Sequence, residues 1–146
     1  MSQRENAIGA LFAVLGQLSL GTSGATVKRN AALPERVADH AMAILRDGEM
    51  GEPEVSLSPL TYHWQHQVGI ELFVADPDAN ARDARMDGLL VELAALIDLD
   101  RTLGGVIEYA EIGSPKCDEL APDGTSGIKA CLLPVVLHYS SSGPLN

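Results

Sequence analysis

The stretch YHWQHQVGIELFVA, residues 62–75, constrains the fold more than any other part of the chain. Tyr62, Trp64, His66, Val68, Ile70, Leu72 and Val74 recur at every second position, with His63, Gln65, Gln67, Gly69 and Glu71 between them. Successive side chains of a strand point to opposite sides, so this spacing predicts one long strand with an apolar face and a polar face. Such a strand needs neighbours for its backbone groups and a second layer to cover its apolar side. The rest of the chain has to supply both.

Helical spacing supplies the second layer. Over residues 3–18, apolar side chains fall at 7, 8, 11, 12, 14, 15 and 18, and the glycines of GTSG at 21–24 end the run. Over residues 77–98, Met86, Leu89, Leu90, Leu93, Leu96 and Ile97 repeat at three to four, with Asp76 as the expected cap and Pro77 as the first helical residue. Further strands are predicted at 25–29, at 41–46 closed by an Asp47–Gly48 turn, and at 54–57 between Pro53 and Pro59. Two more are predicted at 105–112 and 128–139; Pro134 in the last implies an edge position or a bulge. Residues 30–40 are turn-rich and Pro34 can open a short helix there; 113–127 reads as a loop and about 140–146 as a flexible tail. The expected architecture is one α+β domain over 1–146: a sandwich with a mostly antiparallel or mixed sheet and two main helices packed on one face.

Composition limits the partners. The 146 residues are 46 % apolar, sufficient for a core, and 20 acidic against 10 basic residues leave a formal charge of -10. That charge repels phosphate backbones and argues against a nucleic-acid grip. No run approaches the length of a membrane span, and Glu5 ahead of the apolar stretch from Ala7 to Leu20 argues against a leader peptide. Cys117 and Cys131 could face each other across a hairpin, but two cysteines make no disulfide framework, and reduced thiols are expected.

Several short motifs carry chemistry only in the right setting. Asp98, Asp100 and Thr102 spell D-x-D-x-T and resemble the nucleophile motif of haloacid dehalogenase-type phosphatases, which implies a magnesium-dependent reaction. That motif works at the end of a strand, whereas the residues ahead of Asp98 have helical spacing. The expected role is a helix end turning a corner, with the aspartates bonded to loop amides. DPDANARDARMD at 76–87 matches part of a calcium loop but has Ala81 where the sharp turn needs glycine. His63 and His66, three apart on a strand, face opposite ways and cannot share one metal ion. GTSGATVK at 21–28 lacks the spacing of a phosphate loop and follows a helix. Neither cofactor nor catalytic group is expected.

The order of segments resembles the tail terminator, or tail completion, proteins of long-tailed phages and gene transfer agents. The segments that carry the likeness are IGALFAVLGQL, TVKRNAALP, AILRDGE, LSPLTYHWQHQVGIELFV, DLDRTLGGVIEYAEIG and LLPVVLHYSS, over about residues 5–141. The resemblance implies a non-enzymatic virion protein with a mixed α/β sandwich. It implies a homo-oligomer, a hexameric ring on the head-proximal end of the tail tube, which stops tube polymerisation and joins tube protein to the neck or head-closure protein. DNA would pass through an acidic bore without specific binding, and no membrane is involved. A head-closure or stopper adapter is the alternative. The expected interface or turn residues are Asp100, Arg101, Thr102, Gly104 and Gly105 in LDRTLGG, with Arg46 and Asp47 in RDGE; Arg101 should pair with a carboxylate, within the chain or across subunits.

Overall fold

A computed structural model of the chain describes residues 1–32, 41–120 and 127–146. Helix α1 spans Gln3–Leu15 and continues as a 3₁₀ turn over Gly16–Leu20; α2 spans Ala79–Leu99. The strands are β1 Thr26–Arg29, β2 Ala41–Glu49, β3 Glu54–Ser56, β4 Thr61–Ala75, β5 Tyr109–Ile112, β6 Lys116–Leu120 and β7 Ile128–Ser141. They form one seven-stranded sheet of order β1-β2-β4-β7-β5, with β3 beside β4 and β6 beside β7. Only β1 and β2 pair in parallel. The expected α+β sandwich with a mixed sheet is present.

The two long strands β4 and β7 form the spine, in unbroken register from Tyr62 opposite Ser141 to Ala75 opposite Ile128. Their inward side chains, among them Val68, Ile70, Leu72, Val135, Leu137 and Tyr139, are buried. Ala7, Ile8, Leu11 and Leu15 of α1 and Met86, Leu89, Leu93 and Ile97 of α2 cover them. Those spacings of three and four put one stripe of each helix on the sheet. Each buried Leu or Ile contributes on the order of 2 kcal/mol. On the other face, Met42, Ile44 and Phe73 form the buried cluster, at one end of the sheet with Ala31, Ile128 and Ala130.

Several expectations are corrected. Asp47–Gly48 does not turn the chain. Strand β2 runs on to Glu49, and Gly48 (φ 63°) lies in a bulge where the register with β4 shifts between Arg46 and Glu49. A Cβ on Gly48 would sit 1.8 Å from the Gln67 carbonyl oxygen, so the bulge requires glycine. Helix α2 is capped by Asp78, which accepts from the Ala81 amide, and not by Asp76. The strand expected at 105–112 begins only at Tyr109, because 101–106 are turns. Residues 116–120, read as loop, form β6. There Cys117 lies directly opposite Cys131 with Cα atoms 4.0 Å apart, and the two are joined in a disulfide in place of the expected thiols.

Pro134 is not on an edge. Strand β7 is flanked by β4 along its whole length, and on its other side by β6 up to Leu132 and β5 from Val135. Its carbonyl accepts from the Gly113 amide at 2.8 Å, so the missing N–H also points into the gap between β5 and β6, where no ladder partner is required. Strand β7 extends to Ser141, two residues past the predicted end. The helix start read at Pro34 lies outside the described residues.

Candidate functional site

The D-x-D-x-T segment is a corner. Asp98 is in the last turn of α2, and Asp100 follows as its C-cap. One Asp100 carboxylate oxygen accepts from the Thr102 hydroxyl at 2.6 Å and amide at 3.0 Å, and the other from the Gly104 amide at 2.9 Å. The Thr102 hydroxyl accepts from the Gly105 amide. Those donors favour the ionised carboxylate, the Thr102 hydroxyl most, and lower the Asp100 pKa. Leu103 (φ 51°) is buried beneath the turn, and Gly104 (φ 77°) and Gly105 (φ 84°) carry the chain through left-handed backbone. Arg101 pairs with Asp98 at 2.8 Å, within the chain, and its carbonyl accepts from the Ala110 amide to seat β5. Both carboxylates are thus engaged at a helix end, away from the strand terminus a phosphoryl-transfer site requires.

Arg46 and Asp47 are adjacent in β2 and so face opposite sides of the sheet. Arg46 reaches Glu71 at 3.2 Å on the face away from the helices. Asp47 joins a chain of polar contacts on the helix side that sequence reading did not assemble. Arg29 of β1 binds Asp47 through Nε and Nη2, at 2.8 and 2.9 Å, and Glu5 of α1 through Nη1 and the same Nη2, at 2.6 and 3.0 Å. This guanidinium lowers the pKa of both carboxylates, and they raise its own. Glu5 also stands three residues after the N-cap Ser2, yet its carboxylate goes to Arg29.

The chain continues inward through backbone. His66, 1 % exposed, lies 2.6 Å from the Asp47 carbonyl oxygen through Nε2 and 2.7 Å from the Tyr139 hydroxyl through Nδ1. A carbonyl only accepts, so Nε2 carries the proton, and in the neutral ring Nδ1 accepts from Tyr139. Burial lowers the His66 pKa and pushes the Tyr139 phenol up to about 12. The bulge at Gly48 lies beside Asp47, whose carbonyl His66 meets. The pattern hinted at this: His66 is the one imidazole on the apolar face of 62–75. His63, as expected, is exposed on the other face, bonded to Ser56.

The other motifs are occupied structurally. Asp76 binds Arg85, and Asp78 caps α2, so the 76–87 segment is a helix start. The Ser23 amide of GTSG donates inward to Glu92 at 3.0 Å. Among the described residues, no group of three or more His, Cys, Asp or Glu side chains is placed to hold a metal ion. No helix among them is long and apolar enough to cross a membrane.

What distinguishes the molecule is its open sheet face. Beside the Met42–Ile44–Phe73 cluster, that face presents Glu71, Gly69, Gln67, Gln65 and His63 from β4 against Leu132, Pro134, Val136, His138 and Ser140 from β7. Neither helix covers it. Leu132 is 43 % exposed and Tyr109, beside His138, 44 %. No protein-family model matches the chain, and no curated protein matches it in sequence.

Proposed function

We propose that this chain is a structural subunit of a phage-type tail, forming a ring that caps the head-proximal end of the tail tube and joins it to the neck. The observation that carries the reading, beside the resemblance of its segments to tail terminators, is the one-sided sandwich. Both helices lie on one face of a sheet whose other face carries Leu132 and Val136 and, among the described residues, has no helix over it. A closed ring needs two different surfaces on each copy, and the Leu132–Val136 patch of this face and the corner at residues 98–107 would serve as two such surfaces. The acidity suits a channel for DNA: of the cations in the strands, Arg29, Arg46 and Lys129 are already paired with carboxylates, which leaves Lys28 and Lys116 among the described strands to meet phosphates.

Native mass spectrometry of the purified chain, alone and with tube protein, tests the ring; a species at six copies is expected. Removing the gene should give tails of uncontrolled length. Tails of normal length that fail to join heads would assign the chain to the stopper class. A persistent monomer that leaves tail length unchanged on deletion would end the proposal.

A further inference from the structure

The open sheet face contains a groove of about 510 Å³ whose chemistry selects an occupant. It lies where the chain between β2 and β3 leaves β4: β2 last pairs at Gln67 and β3 begins to pair at His63. Gln65 and Gln67 form its floor with His138. Glu52 and Glu54 stand on one wall and Glu108 and Tyr109 on the other. The groove's described lining includes no lysine or arginine.

Three features go together there. Among the described residues, the carboxylates of Glu52, Glu54 and Glu108 have no ion-pair or hydrogen-bond partner, and neither do the side-chain amides of Gln65 and Gln67. Tyr109 stacks on His138, ring centroids 4.1 Å apart and planes within 11°, and stays 44 % exposed. His138 is held from the side by Glu111 at 3.1 Å. The groove therefore offers carboxylate and amide acceptors beside a braced aromatic surface, with no lysine or arginine in its described lining.

We infer that this groove is the docking site for an arginine-bearing segment of a partner protein. A guanidinium suits it better than an ammonium. Its planar fork can bond a carboxylate and an amide oxygen together, and its face can lie on the Tyr109 ring. Charge complementarity argues against a second copy of this acidic chain as the occupant, because the groove and the molecule carry the same sign. Phosphate-bearing ligands are disfavoured for the same reason. The inference stands apart from the ring proposal.

A labelled penta-arginine peptide titrated at low and physiological salt, followed by fluorescence anisotropy and by amide NMR shifts, tests it. Expected are shifts confined to Gln65, Gln67, Tyr109 and His138, and binding of penta-arginine severalfold tighter than penta-lysine. Glu52→Gln/Glu54→Gln/Glu108→Gln should weaken binding about tenfold, each rim charge contributing modestly. A control that removes the same charge from the helix layer, Asp83→Asn/Asp87→Asn/Asp98→Asn, should change affinity less than about twofold. Equal loss in the two triple variants, equal affinity for the two peptides, or shifts spread over the whole surface would each overturn the inference. All six positions are exposed, so the variants should fold, and circular dichroism checks it. A chain that forms rings but ignores the peptide defeats this inference alone; one that binds the peptide but never forms rings defeats only the ring.

Discussion

Strands β4 and β7 have the same backbone and two unlike faces. Toward the helices they present Trp64, Val68, Ile70, Leu72, Val74, Leu133, Val135, Leu137 and Tyr139, all buried. Away from them they present His63, Gln65, Gln67, Glu71, Leu132 and His138, of which His63, Gln65, Gln67 and Leu132 are exposed. A residue's contribution here depends on the parity of its position more than on its type. The single histidine on the inward parity, His66, is drawn into the core and held at both nitrogens, while His63, three residues earlier, touches only a surface serine. The inward parity holds the fold together, and the outward parity leaves polar side chains and Leu132 at the surface.

Substitutions of opposite parity should break that comparison most visibly. Leu72→Ala, at a fully buried position, is expected to lower stability by about 4 kcal/mol in urea denaturation. The disulfide between Cys117 and Cys131 closes a separation of 14 residues; reducing it, or Cys117→Ser/Cys131→Ser, should cost about 3 kcal/mol. Tyr139→Phe deletes the hydroxyl that meets His66 and should cost about 1 kcal/mol.

Acid should sharpen the contrast between the histidines. The His66 pKa is depressed by burial, so below the ordinary histidine range the unfolded chain binds a proton that the folded chain refuses. Stability is therefore constant above that range, declines as pH falls through it, and levels off below the depressed value. His66→Gln should flatten the decline between about pH 7 and pH 5. Glu5, Asp47 and Asp100 act in a lower window: their depressed pKa values stabilise the fold above the ordinary carboxylate range, and that contribution is lost as pH falls through the folded values. Smallest of all, Gln67→Ala on the outward parity should stay within about 0.5 kcal/mol of the parent.

Much of this was legible in the residues. The period of two over 62–75 placed Trp64, His66, Val68, Ile70, Leu72 and Val74 on one side, and the threes and fours of 86–97 placed the stripe of α2. What escaped was set by neighbours far away in the chain. Asp47–Gly48 carries the same local signal for a hairpin turn and for a bulge; the continuing edge of β4 decides in favour of the bulge. Residues 116–120 lack alternation and become a strand because β7 offers them hydrogen bonds, and that register brings Cys117 onto Cys131. Pro134 looked like an edge residue because a gap between β5 and β6 leaves no local trace. In the polar chain, Glu5, Arg29, Asp47, His66 and Tyr139 come from five separate elements, so no spacing rule could collect them. The LDRTLGG corner was readable as a turn because its acceptor, donors and glycines lie within six residues.

Every border of the sheet is a short piece of chain. The outermost strands are four residues each in β1 and β5, three in β3 and five in β6, while the two longest strands are enclosed. Among the described residues, a newcomer therefore finds no extended row of free amides along which to lengthen the sheet. In the proposed ring, copies would therefore meet through the shapes of their side chains, and contacts of that kind repeat at a set angle and can come full circle.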